Sequence, residues 1–216
     1  MFTDCLSQVL EMRQCDVRKV ALPPDYAQTA RVLASILATR PRAIVMNTDL
    51  GPHCSAVELV AALAARGMAV IAVADTTDEA HWGHCLASGA RIVIPKDASL
   101  AMMVSVIRRI SRGERVLDLA DRERLLSIYS QHSAERRQCL ARLDLLSPQE
   151  SEILLQLIGG RTVREIAAHR VVSEYTVRTQ VKAVLNKLGV SSQLAAVAVA
   201  RTAGWGKVAV TAGRSA

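Results

Sequence analysis

Residues 146–190 read LSPQESEILLQLIGGRTVREIAAHRVVSEYTVRTQVKAVLNKLGV, and from Leu146 to about Ala203 the pattern is helical throughout. Ser147-Pro148-Gln149-Glu150 supplies an N-cap, a proline at the first helical position and a glutamate three residues after the cap. That combination satisfies the unpaired N–H groups at a helix start. Ile153, Leu154, Leu157 and Ile158 then make one apolar face, and Gly159-Gly160 stops the helix. Thr162 and Glu165 repeat the capping arrangement ahead of a short helix whose Ile166 and Ala167 face inward. Ser173 caps a third helix, with Thr176 three residues on; Gly189 ends it, and Ser192 caps a fourth that runs to about Ala203.

The third helix has two faces. Val177, Val181, Val184, Leu185 and Leu188 share one stripe at helical spacing, while Tyr175, Arg178, Thr179, Lys182 and Asn186 fall opposite. A helix with an aliphatic buried face and an exposed Arg/Thr/Lys/Asn face suits the major groove of duplex DNA, which is wide enough to admit it. Arg and Lys reach guanine edges or phosphates, and Thr meets a thymine methyl. Charge is distributed to match. Residues 1–107 hold nine basic and ten acidic residues, against eighteen and ten in 108–216, so the net +7 of the chain comes wholly from its second half. A segregated basic half suggests a polyanionic partner; a merely solvated basic face is the plainer alternative.

The pieces S-P-x-E-x-E-I-L, E-I-A, S-x-x-T-V-R and N-K-L-G-V resemble, in combination, the LuxR-type four-helix DNA-binding domain of NarL/FixJ-class regulators. The resemblance covers the module end to end. It implies that Arg178, Thr179 and Lys182 occupy base-reading or groove positions, that Thr176 and Lys187 lie near phosphates with Ser173 at the head of the helix, and that the last helix is the dimer contact on DNA. One departure stands out: where the family has Leu-Gly before the third helix, this chain has Arg170-Val171. Valine is poorly suited to a positive φ, so a distorted turn is expected, with Arg170 directed outward toward phosphate.

The first half reads differently. A short amphipathic helix is predicted over 4–13, a strand over 16–22, a break at Pro23-Pro24 and a helix over 26–39. AIVM at 43–46 leads to a turn with Gly51-Pro52, a helix at 55–66, VIAVA at 70–74, a helix at about 78–88 ending at Gly89, RIVI at 91–94 and a helix at 98–112. Short strands alternating with helices of ten or more residues predict βα units and a parallel sheet. Residues 113–143 are charged and helical in pattern, a linker helix with its tip near residues 131–134. The expected organisation is thus an α/β domain over 1–112, a linker helix over 113–143 and an all-α four-helix domain over 144–216.

The order of elements in 16–112, Gly89-Ala90 and Lys96 resemble the receiver domain of two-component response regulators, most clearly from Arg42 to Glu114. That resemblance implies a phosphoryl-accepting carboxylate after the third strand, an acidic Mg²⁺-binding pair after the first, a hydroxyl after the fourth and a lysine after the fifth. Here the acceptor position is Asn47, the hydroxyl position is Ala74 (with Thr76 and Thr77 just beyond), and Lys96 alone remains. An amide is not an anionic nucleophile and binds Mg²⁺ poorly. Met1–Thr3 is too short for the usual first strand, so the acidic pair has no place and Asp4 is the one acidic candidate nearby. The sheet then closes without that strand, by 16–22 pairing on 43–47, by another chain filling the gap, or with a true start upstream. An atypical or orphan regulator follows, not controlled by aspartyl phosphorylation; a conventional phospho-regulator using Asp49 is the alternative.

His53-Cys54 and His81-x-x-His84-Cys85 are expected at one end of the sheet and allow a metal- or redox-responsive reading, but they lack standard zinc spacing. Trp82 is a partly exposed aromatic on the same helix. Five scattered cysteines without a C-x-x-C pair argue against a disulfide framework. No apolar run approaches the roughly 18 residues of a membrane span, and no signal-peptide pattern opens the chain. A cytoplasmic protein without a membrane partner is expected. There is no phosphate-cradling glycine loop, nucleophile elbow or convincing Cys/His pair, so neither enzymatic activity nor a cofactor or metal is expected. Double-stranded DNA and a second copy of the chain are the expected partners, with room for a small-molecule effector and RNA polymerase. A sigma-factor region shares the S-P-x-E and T-V-R pattern but brings an aromatic-rich melting segment that is missing here. A non-DNA protein binding an acidic partner is the remaining class.

Overall fold

The computed structural model describes residues 2–20, 29–50 and 55–205. Pro23-Pro24, Gly51-Pro52, His53, Cys54 and the ends of two predicted elements (21–22 and 26–28) lie outside the described residues. The chain forms two compact units, residues 1–130 and 131–216.

The first unit is α/β. In chain order it contains α1 (Phe2–Glu11), α2 (Thr29–Ala38), β1 (Ala43–Asn47), α3 (Ala56–Ala64), β2 (Ala69–Ala74), α4 (Glu79–Ala87), β3 (Ile92–Pro95), α5 (Leu100–Ser111) and the start of α6 (Leu119–Leu143). The strands form a parallel sheet in the order β1-β2-β3, with Val45 opposite Ile71 and Ile71 opposite Ile92. β2 is central and covered on both faces, which is why it reads as the unbroken apolar run VIAVA rather than as an alternation. Val70, Ala72 and Ala74 turn toward a core built with α2, α3, α4 and Leu125 of α6. Ile71 and Val73 turn the other way, toward Leu6 and Leu10 of α1 and Met103, Val104 and Val106 of α5.

Over its described part, residues 16–20, the strand predicted for 16–22 does not form and the chain is irregular. Side chains, not a ladder, hold this segment. Val17 packs against the α1–α5 core, Lys19 pairs with Asp4 at 2.7 Å and Arg18 with Asp16 at 3.6 Å. Among the described residues, therefore, β1 pairs only with β2.

The helix predicted over 113–143 begins at Leu119 and runs without a break through residues 131–134, where a tip was expected. Its first part is built into the α/β unit. Gly83 makes this possible: a Cβ there would lie 2.2 Å from the Leu125 carbonyl oxygen and 2.7 Å from the Tyr129 Cβ. Around that close approach, Arg124 binds both Glu79 carboxylate oxygens at 2.7 and 2.8 Å, and His84 stacks on Tyr129 with centroids 4.6 Å apart. Arg122 reaches the Leu86 and Ala90 carbonyls at 3.3 and 3.5 Å.

The second unit is helical. It takes the remainder of α6 and adds α7 (Pro148–Ile158), α8 (Val163–Arg170), α9 (Glu174–Leu188) and α10 (Gln193–Ala203). Both predicted capping boxes form, at Ser147/Glu150 and Thr162/Glu165. One core joins Leu143 of α6 to Leu154, Val184, Leu188, Ala196 and Ala200; a second joins Ile153, Leu157, Ile166, Val177 and Val181. Arg136 and Arg142 of α6 donate to the carbonyls of Ala203 and Leu188, placing positive charge at the C-terminal ends of α10 and α9.

Candidate nucleic-acid interface

The buried stripe of α9 is Val177, Val181, Val184 and Leu188, all fully or nearly fully enclosed. Because these residues recur every three or four positions, they fix the roll of the helix and leave Tyr175, Arg178, Thr179 and Lys182 exposed along the opposite line. Ser173 accepts the Thr176 N–H at 3.1 Å as the N-cap, and its hydroxyl lies 2.8 Å from that of Thr176. Both hydroxyls thus sit at the positive end of the α9 dipole.

The neighbours of each polar residue define what it presents. Arg178 pairs with Glu174 one turn back, at 3.3 Å. The Thr179 hydroxyl donates to the Tyr175 carbonyl at 3.0 Å. Lys187 binds Glu150 at 2.7 Å, and the same carboxylate oxygen accepts the Ser147 N–H at 2.7 Å. These contacts, with the Lys187 ammonium the largest contributor, hold the Glu150 carboxyl below its ordinary range. Lys187 therefore fastens α9 to the start of α7.

Arg170 does not project outward as expected from sequence. Its side chain, 18% exposed, lies 3.5 Å from Glu152 of α7 and 3.5 Å from Gln180 of α9. A carboxylate and an amide on the two flanking helices draw the guanidinium inward. The turn behind it is not distorted as expected: Val171 closes α8 in the left-handed region at φ +55° and ψ +46°, a conformation costly for a β-branched residue, and is 90% exposed.

In the α/β unit, Asn47 ends β1 and its amide oxygen accepts the Asp49 N–H at 3.1 Å. Lys96 pairs with Asp75 at 2.8 Å. Asp75 was not singled out from sequence, yet it follows β2 directly and Lys96 follows the adjacent β3, so a parallel sheet brings the two together. They line a depression of about 360 Å³ with Ala74, Thr76 and Thr77. The loop is tied down further by the Asp78 N–H on the Thr76 hydroxyl at 3.0 Å and the Trp82 indole N–H on the Thr76 carbonyl at 2.8 Å.

His81 and Cys85 approach to 3.9 Å, but Cys85 is wholly buried, which pushes its thiol up to about 11. Such a thiol is not a ready nucleophile or ligand, and among the described residues no three metal-binding side chains gather. No single described helix is long and apolar enough to cross a membrane.

Residues 144–200 match the family model described as bacterial regulatory proteins, luxR family. Across 176 residues, 80% of this chain and 79% of the relative, the sequence is 26% identical to the nitrate/nitrite response regulator protein homolog of Haemophilus influenzae. It is 32% identical over 110 residues to the probable HTH-type transcriptional regulator GfsR of Streptomyces halstedii, covering 51% of this chain and 42% of that one. Among solved structures, the response regulator ChrA of a heme-sensing two-component system aligns at 27% identity and a TM-score of 0.36, covering 76% of this chain and 77% of that one.

Proposed function

We propose that this chain, which carries a LuxR-type helix-turn-helix domain at residues 144–200 and is related over four-fifths of its length to a named response regulator, is a cytoplasmic DNA-binding transcriptional regulator rather than an enzyme. The observation that carries the reading is α9, whose buried Val/Leu stripe turns Arg178, Thr179 and Lys182 outward together on a unit with excess positive charge. Arg178 and Lys182 meet base edges or phosphates, Thr179 lies in the groove, and Ser173 and Thr176 offer hydroxyls to phosphate. The chain binds as a dimer through α10, where Leu194 is an exposed leucine on a helix otherwise rich in small residues. In-vitro selection of bound duplexes with the full chain tests this: a two-fold or direct-repeat site is expected, and failure to enrich any duplex would overturn it.

Control does not run through an aspartyl phosphate. Asn47 at the acceptor position, the buried Ala74 with no hydroxyl and a Lys96 already neutralised by Asp75 support this. Incubation with acetyl phosphate and Mg²⁺ should leave the intact mass unchanged; a stoichiometric phosphoryl gain would return Asp49 to consideration.

A small anionic effector is a second element of the reading, favoured by one feature. Arg13, Arg108, Arg109 and Arg112 line a groove of about 440 Å³ beside α1 and α5 together with Val9, Leu100 and Val104. Glu114 faces Arg109 and Arg112 at 3.6 and 3.8 Å, which leaves Arg13 and Arg108 as the cations a ligand would meet first. An organic phosphate or carboxylate that raises the melting temperature of the wild type but not of Arg108→Ala would identify the class.

A further inference from the structure

We propose that Tyr175 is a specificity-determining residue that, with the Thr179 methyl beside it, reads the C5 methyl of thymine in the recognised site. The inference rests on the DNA-binding reading above and extends it to base preference.

Tyr175 is a large aromatic side chain left 80% exposed; the other strongly exposed apolar side chains described in this unit, Val171 and Leu194, lie off α9. It stands in the first turn of α9, three, four and seven residues before Arg178, Thr179 and Lys182. Side chains at those spacings are neighbours on one helix face, so the ring belongs to the same line as the polar groups. Tyr175 is not needed for the core, because the buried stripe is complete without it.

Thr179 strengthens the case. Its hydroxyl donates to the Tyr175 carbonyl at 3.0 Å, so the group it offers a partner is its methyl. Glu174 meanwhile engages the Arg178 guanidinium at 3.3 Å. From the N-terminal end, α9 thus presents an aromatic ring, the exposed Arg178 guanidinium, a methyl and the Lys182 ammonium. In the major groove only thymine offers an apolar group, its C5 methyl, while a lysine favours guanine O6 and N7. The surface therefore fits thymine beside guanine.

Exchange of thymine for deoxyuridine tests the idea, since it removes that methyl and leaves the pairing edge unchanged. The probe is a duplex selected from a random pool by the full-length wild-type chain, with each thymine replaced in turn. Covering one methyl is worth about a fourfold change in Kd. The wild type should lose about that factor at one or two thymines per half-site. Tyr175→Ala, or Thr179→Ser (which keeps the hydroxyl and removes the methyl), should bind thymine and deoxyuridine duplexes equally at the affected position; Tyr175→Phe should retain the preference. Circular dichroism of each variant establishes that the fold is intact. A wild type indifferent to every exchange, or variants that all keep the preference, would overturn the inference while leaving DNA binding standing. Failure to select any duplex would overturn both.

Discussion

Replacing Val171 with glycine should stabilise the C-terminal unit. Val171 sits at φ +55° and ψ +46°, closing α8 through its N–H on the Ala168 carbonyl at 3.4 Å. A left-handed L-residue carries a cost of about 1–2 kcal/mol, and branching at Cβ places valine toward the upper end. Because Val171 is 90% exposed, its removal forfeits almost no apolar burial. Against the relief stands the greater freedom of glycine in the unfolded chain, about 0.4–1 kcal/mol. The net gain should be about 1 kcal/mol, or about 4–8 °C in melting temperature for a unit of this size. Trp205, packed on the core of the C-terminal unit, reports its unfolding by fluorescence once Trp82 is replaced by phenylalanine in both proteins. Val171→Asn should recover part of the gain, since asparagine tolerates this conformation. A glycine variant that is neutral or less stable would refute the assignment of strain to this turn.

Three further outcomes are expected. Gly83→Ala would drive a methyl into the Leu125 carbonyl and should destabilise the α/β unit by about 1–3 kcal/mol in urea titration, whereas Gly113→Ala, with nothing within 4 Å of its Cβ, should show only the milder cost of its positive φ. Glu150 has a lowered folded pKa, so its contribution is present above the ordinary carboxylate range and is lost as pH falls through that range toward the folded value; Glu150→Gln should flatten the acid limb of stability against pH and cost about 1–2 kcal/mol at pH 7. Leu194→Glu should leave the melting temperature nearly unchanged and shift the sedimentation of the DNA complex from two copies toward one; an unchanged stoichiometry would place the dimer contact elsewhere.

The elements that follow from local pattern were legible in the sequence. Capping boxes at Ser147 and Thr162, glycine stops and the valine stripe of α9 each involve residues within one or two turns, so spacing alone exposes them. VIAVA was legible because a central parallel strand is apolar on both faces. The 16–20 segment misled because its two β-branched valines, Val17 and Val20, suit a strand, although three residues apart they do not alternate; side-chain ties to Asp4 and the α1–α5 core hold it instead. Long-range ion pairs were beyond periodicity: Lys187 with Glu150, Arg170 with Glu152 and Lys96 with Asp75 join different elements. For that reason the pairing of two cations expected to face phosphate, Lys187 and Arg170, with carboxylates of α7 was not foreseen. Only the last pair left a signal, an acidic residue directly after one strand and a lysine directly after the next.

The most direct test of the DNA-binding account is the affinity of the full chain for its selected duplex across a salt series, for the wild type, Arg178→Ala and Lys182→Ala. Both side chains are exposed, so neither change should disturb folding. Each variant should bind about 5- to 150-fold more weakly if its contact is to a base. A phosphate contact should instead reduce the slope of log K against log salt by about one. Correctly folded variants that match the wild type in both affinity and salt slope would contradict the claim that this face of α9 meets DNA.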